Sequence, residues 1–117
     1  MPFDIKAPIN KPLFDWVIEN LCKNAVDAME GAGTININIK RGRLGDKLID
    51  IKDDGKGIPK NKVKELFLPG FTTKQRGWGL GLTLAKRIVE IYHRGKIYVK
   101  ETEVNVGTTF RIILKPG

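Results

Sequence analysis

Cysteine is almost absent: Cys22 is the one thiol in 117 residues, which excludes an internal disulfide and a clustered-thiolate zinc site. No apolar run approaches the roughly 20 residues that a membrane span needs. The opening Met1-Pro2-Phe3-Asp4 lacks the basic-then-apolar pattern of a signal peptide. No internal repeat, low-complexity tract or linker divides the chain. Neither common phosphate loop occurs: there is no Gly-x-x-x-x-Gly-Lys, and after Gly77 and Gly79 it is Leu82 that holds the third glycine's place in a dinucleotide loop. These absences lead us to expect one soluble domain of a reducing compartment, spanning 1–117, with room for a single core.

What is present is basic. Lysine and arginine number 21 against 13 aspartates and glutamates, a net charge of +8. The excess is lopsided: residues 1–39 carry a net −2 and residues 40–117 a net +10. Such a field attracts polyanions without choosing between nucleic acid, acidic lipid and a nucleoside triphosphate. Apolar residues make up 41%, enough for a buried core.

Periodicity divides the chain into elements. Phe3 to Lys6 alternates as a short strand before Pro8, and Pro12 suits the first turn of a helix running from Leu13 to Glu30, ended by Gly31-Ala32-Gly33. Thr34 to Lys40 alternates as a half-buried strand, Gly42 to Gly45 turns, and Lys47 to Lys52 returns as its hairpin partner. A short helix is expected over 60–66 and a long one from Leu80 to Tyr92. Strands over 96–102 and 107–115, joined near Asn105-Gly107, close the chain. Grouped strand pairs favour an α+β fold: a two-layer α/β sandwich with a mixed, mainly antiparallel sheet and helices on one face.

Three segments carry chemistry. On the first helix Phe14, Ile18, Leu21, Ala25 and Met29 form an apolar stripe. Beside it Leu13 and Val17 continue as Asn20, Asn24 and Asp27, at steps that keep them on one face. Those amides either wall a wet cavity, where they suit a magnesium ion already held by phosphates, or bond to neighbouring loop backbone. Asp53 ends a strand just before Gly55 and Gly57, where a carboxylate can accept from an exocyclic amine while glycine admits a flat ring, or can serve an ordinary Asp-Gly turn. The run Gly77-Trp78-Gly79-Leu80-Gly81-Leu82 opens a helix, where backbone N–H groups favour phosphate.

Taken in order, these residues resemble a family. Asn20-Leu21-Cys22-Lys23-Asn24-Ala25 resembles the N box, Asp53-x-Gly55-x-Gly57 the G1 box, Leu66 to Lys74 the F box, and Gly77-x-Gly79-Leu80-Gly81-Leu82 the G2 box. Gly107-Thr108-Thr109-Phe110 resembles the closing glycine-threonine motif. Together, over about residues 12–114, they are similar to the ATP-binding catalytic domain of two-component sensor histidine kinases, within the gyrase, Hsp90, histidine kinase and MutL superfamily. The resemblance implies a Bergerat-type fold that takes ATP and Mg2+. It makes Asn24 the metal-site residue, with Asn20 and Asp27 beside the phosphates. It gives Asp53 the adenine amino group, with Thr109 near it and Gly55, Gly57 and Ile58 against the base. It makes residues 67–77 the ATP lid, with Phe71, Thr72, Thr73, Lys74 and Arg76 near the nucleotide, Lys74 acting on the γ-phosphate. Gly77, Gly79, Leu80, Gly81 and Leu82 would present backbone N–H groups to the phosphates, and Trp78 would cap the nucleotide or pack the lid.

In ATP-hydrolysing cousins a glutamate stands four residues before the metal-binding asparagine. Here that residue is Asn20, which cannot act as a base, so the resemblance implies phosphotransfer to a protein over hydrolysis. The only histidine, His93, falls at a helix-to-strand junction and reads as structural. The phosphoacceptor histidine is therefore expected on a separate dimerisation domain of a parent kinase, and a response-regulator receiver domain is the expected downstream partner. The chain by itself is expected to be monomeric and cytoplasmic, without membrane or nucleic-acid contacts. The alternatives are a superfamily ATPase, an anti-sigma-type serine kinase, or a basic nucleic-acid-binding module. The last would need clustered basic and aromatic side chains.

Overall fold

The computed structural model describes residues 9–30, 32–67 and 78–115, with the backbone alone at 78–81. The strand expected at Phe3–Lys6 lies outside the described residues. Helix α1 runs Lys11–Ala28. Asn10 caps it, its side-chain oxygen accepting the Leu13 N–H at 3.1 Å, and Pro12 sits in the first turn, where its missing N–H costs nothing. The helix stops two residues short of Glu30, which takes a left-handed φ of 56°.

Strands β1 (Ile35–Arg41) and β2 (Lys47–Asp53) form the expected hairpin. The short helix expected over 60–66 is present as a 3-10 helix, Lys60–Glu65. Helix α2 (Trp78–Arg87) continues without a break into a π-helical turn, Ile88–Tyr92. Strands β3 (Lys96–Glu103) and β4 (Gly107–Leu114) follow. The sheet order is β1-β2-β4-β3, and every pairing among the described residues is antiparallel.

Strand parity sorts the side chains. Ile49 and Ile51 of β2, Ile97 of β3, and Phe110, Ile112 and Leu114 of β4 point to one face and are buried under Phe14, Val17, Leu21 and Ala25 of α1 and Leu82, Ala85, Ile88 and Val89 of α2 and its π turn. Each of these side chains larger than alanine contributes about 1.5–3 kcal/mol of burial energy. Val17, expected at the apolar start of the second stripe, is fully buried, while Ile18 is half-buried at the margin of the core. Helix α1 is wedged between sheet and α2, so its buried arc is wider than one stripe. Cys22 is half-buried, and that burial pushes its thiol up.

His93 fastens the two helices. Its Nδ1 donates to the Ile88 carbonyl at 2.9 Å, its Nε2 accepts the Asn10 backbone N–H at 2.9 Å, and its ring stands edge-on to Phe14 at 5.7 Å. Both ring nitrogens are therefore engaged within the fold, which removes His93 as an exposed phosphoacceptor. His93→Ala is expected to lower stability by about 1–2 kcal/mol through the two lost bonds, read as a drop in the urea midpoint at unchanged m-value.

Candidate functional site

One cavity of about 480 Å³ opens beside α1, a volume suited to a small-molecule ligand. Its floor is the core face of the sheet, with Ile51, Asp53, Thr108 and Phe110. One wall is the α1 segment Leu21, Asn24, Ala25 and Ala28; the facing wall is Gly57, Ile58, Pro59, Lys62 and Leu66. Leu82 of α2 closes one side and Val104 and Asn105, in the β3–β4 turn, another. The lining is mostly apolar, with a few polar groups that can orient a ligand.

The loop after β2 is sewn to its neighbours. The Lys56 N–H donates to the Ala28 carbonyl at 3.1 Å, and the Lys56 carbonyl accepts the Asn105 N–H at 2.8 Å. A Cβ on Gly55 would lie 2.7 Å from the Ala28 carbonyl oxygen, so that glycine is required for the loop to lie against α1. Gly57, at φ 73°, would collide with the Glu103 carbonyl if it carried a side chain. Of the two, Gly57 lines the cavity; Gly55 is buried behind it.

Asp53 is only 7% exposed and carries the site's one buried carboxylate among the described residues. Burial raises its pKa above the ordinary aspartate value, and hydrogen bonds from the Gly55 and Thr108 backbones partly oppose the rise. The Gly55 N–H lies 2.9 Å from Oδ1. A carboxylate so held, with an apolar box around it, is an acceptor aimed at an N–H donor.

Thr108, and not Thr109, shares the pocket with Asp53. The two are directly opposite in the β2–β4 register, whereas Thr109 pairs with Lys52 on the other face of the sheet. Thr109, the threonine expected near Asp53, is thus not the one at the cavity; its neighbour Thr108 is. Period-two reading of Thr108, Phe110, Ile112 and Leu114 would have found the right threonine. Lys56 and Lys62 also line the cavity without having been singled out.

On α1, Asn24 reaches the cavity wall, while Asn20 and Asp27 lie one turn to either side, half-buried and outside the lining. The side-chain amide nitrogens of Asn20 and Asn24 are buried and find no hydrogen-bond partner among the described residues. Each unmet donor costs about 1–3 kcal/mol, a cost that an anionic oxygen arriving with a ligand would remove. Ile58 and Leu82 line the cavity as well. Gly79, Leu80 and Gly81 belong to the first turn of α2, where N–H groups lack partners within the helix. The side chain of Thr83 ties α2 to the 3-10 helix region, donating to the Phe67 carbonyl at 3.1 Å. Phe71, Thr72, Thr73, Lys74, Arg76 and Gly77 lie outside the described residues.

Comparisons with known proteins converge. The family described as histidine kinase-, DNA gyrase B-, and HSP90-like ATPase matches residues 10–117. Sporulation kinase E of Bacillus subtilis (strain 168) is 43% identical over 98 residues, which are 84% of this chain and 13% of that protein. Sensor histidine kinase ZraS of Salmonella typhimurium is 40% identical over 98 residues, 84% of this chain and 21% of that one. The chain thus spans about an eighth to a fifth of these relatives. Among solved structures, a nucleotide-free catalytic domain of the histidine kinase ThkA superposes with a TM-score of 0.82 at 31% identity, covering 95% of this chain and 72% of that one.

Proposed function

The chain belongs to the histidine kinase-, DNA gyrase B- and HSP90-like ATPase family, and from that premise we propose that it binds ATP with magnesium and donates the γ-phosphate to a histidine on a separate dimerisation domain of a sensor kinase, for relay to a response-regulator receiver domain. The observation that carries the reading is the pairing, across one cavity, of a buried acceptor, Asp53, with a buried donor, Asn24, that has no partner among the described residues. A purine nucleotide answers both: an exocyclic amine at the carboxylate, phosphate oxygens at the amide.

The residues divide the work. Asp53 accepts from the adenine amine, and Thr108 lies opposite it. Ile51, Ile58 and Phe110 supply apolar surface for the ring and exclude water. Asn24 and Asn20 hold phosphate oxygens, and the first-turn amides of α2 face the same negative charge. Magnesium, when bound, would neutralise phosphate charge, and the Asn24 amide oxygen is the protein ligand this site can offer it. Lys74 and Arg76 are proposed to meet the triphosphate from the lid. Four residues before Asn24, one helical turn away, stands Asn20, an amide that cannot act as a base, which favours transfer over hydrolysis. His93 is committed to the fold, so the acceptor histidine is proposed on another domain.

Calorimetric titration with ATP, with and without magnesium, tests the proposal. One saturable site whose affinity rises with magnesium is the expected result; absence of binding would sink it. Asn24→Ala is expected to lose about tenfold in affinity when magnesium is present and at most about threefold without it, because a phosphate hydrogen bond alone is the smaller contribution. Equal losses in both conditions would remove Asn24 from the metal site.

A further inference from the structure

The hydroxyl of Thr102 is a junction of three hydrogen bonds at the edge of the cavity. It accepts the Ile58 backbone N–H at 2.9 Å, lies 3.2 Å from the Gly107 carbonyl as donor, and lies 2.8 Å from the Thr108 hydroxyl. A threonine hydroxyl has one proton and two lone pairs. The Ile58 N–H takes one lone pair, and the Gly107 carbonyl, which can only accept, takes the proton. The remaining lone pair can then meet Thr108 only if Thr108 donates. That arrangement leaves every capacity of Thr102 used. It also commits the Thr108 proton away from the cavity, so that Thr108 turns lone pairs toward it.

We propose that Thr102, a residue outside the cavity lining, is a positioning residue for nucleobase selection: it orients the Thr108 hydroxyl as an acceptor and pins the Ile58 backbone, so that the pocket takes a 6-amino purine over a 6-oxo purine. The proposal rests on the ATP reading above. The chemistry is one of polarity. Asp53, ionised, only accepts, and Thr108, with its proton drawn to Thr102, accepts too. A floor of two acceptors suits an amine and repels the carbonyl oxygen of a 6-oxo base, whose ring N1–H alone cannot meet both. Without the Thr102 hydroxyl, Thr108 is released to rotate and to donate, which is what a 6-oxo group requires. Ile58, meanwhile, loses the bond that fixes its position against the ring.

The experiment compares Kd for ATP and for inosine triphosphate, which replaces the 6-amine by a 6-oxo group, in the same protein by calorimetry. Thr102→Val keeps the shape and removes the hydroxyl; it is expected to shrink the preference for ATP about three- to tenfold, the worth of one oriented hydrogen bond. Thr102→Ser retains the hydroxyl and is expected to hold the wild-type ratio. In a Thr108→Val background Thr102→Val is expected to change the ratio less than about twofold, because the group it orients is gone. A wild-type ratio in Thr102→Val, or a Thr102→Ser protein as indiscriminate as Thr102→Val, overturns the proposal. Thr108→Val leaves the Ile58 and Gly107 bonds in place and must lower the ratio by itself; a Thr108→Val protein that discriminates as the wild type does overturns the proposal even if Thr102→Val fails to fold. Wild-type protein that binds neither nucleotide overturns the ATP reading itself, whereas wild-type binding with an unaltered ratio in every variant overturns this inference alone.

Discussion

Asp53→Asn is expected to weaken ATP binding about tenfold to a hundredfold while moving the melting temperature by less than about 5 °C, because a charge-assisted hydrogen bond is worth about 1.5–3 kcal/mol and one kcal/mol shifts a domain of this size by about that much. The two halves of that expectation come from the same environment. Gly55 and Thr108 donate backbone N–H groups to the carboxylate, which fixes its direction, and the apolar cavity leaves its remaining lone pairs facing an incoming ligand. Asparagine places an NH2 group where an acceptor is needed, and donor then meets donor. The fold suffers little, since the asparagine oxygen can keep the Gly55 bond and the buried charge is gone. The sign of the pH effect follows. Burial holds the Asp53 pKa above the ordinary 3.8, so its ionised form weighs against folding at neutral pH, and that cost disappears as pH falls through the raised value. Binding runs the other way: it needs the ionised form, so ATP affinity falls on acidification through a pH above an ordinary aspartate's range. The ratio of wild-type to Asp53→Asn affinity, measured across that range, should shrink as pH falls. A constant ratio would mean that Asp53 does not act as an anion toward the base.

Much of this architecture is legible in the chain because each legible part is local. Asn10, Pro12 and the apolar spacing set where α1 begins, and the alternation from Ile35 to Asp53 around Gly42–Gly45 makes a hairpin with little help from elsewhere. The boxes name Asn24, Asp53, Gly57, Ile58 and Leu82, and all five meet around one cavity. What escaped was tertiary or a matter of parity. The order β1-β2-β4-β3 depends on which strand slides beside β2, and no local pattern states it. Two adjacent threonines look alike in a motif, yet one faces the cavity and its neighbour the far side of the sheet. Val17 is buried in a core that α1 shares with α2 and the sheet, contacts between segments some 65 residues apart for α2. Lys62 lines the cavity from the 3-10 helix after Pro59, whose place beside the cavity is set by tertiary packing. Thr102 carries no motif at all; only three distances reveal it.

Parity also separates two aspartates three residues apart on β2, and Asp50→Asn should be the mirror image of Asp53→Asn: a loss of about 2–3 kcal/mol in stability with ATP affinity unchanged, the energy being that of charged hydrogen bonds at a partly buried site. Asp50 points to the face of the sheet away from the cavity. Arg111, its partner in the register, grips it twice, Nε to Oδ1 at 2.7 Å and Nη2 to Oδ2 at 2.8 Å, and Lys100 and Lys40 approach at 3.7 and 3.9 Å. The Arg111 hydrogen bonds hold the Asp50 carboxyl below the ordinary aspartate range, with the two lysines adding to the effect. An isolated surface pair would contribute little, but here three cations from β1, β3 and β4 are gathered on one carboxylate of β2. Substitution therefore removes the attraction and leaves three like charges together across the full width of the sheet. The linkage sign is opposite to that of Asp53. A depressed folded-state pKa gives stability that is fully present above the unfolded value of about 3.8 and is lost as pH falls through the folded one. The urea-unfolding gap between wild type and Asp50→Asn should thus be constant from neutral pH down to mildly acid pH and close only below the ordinary aspartate range. It should also narrow in high salt, because Lys40 and Lys100 are half-exposed and their share is screened. A variant as stable as the wild type at neutral pH would mean that Arg111 finds another acceptor, and one that also lost ATP affinity would mean that the two faces of the sheet are not independent.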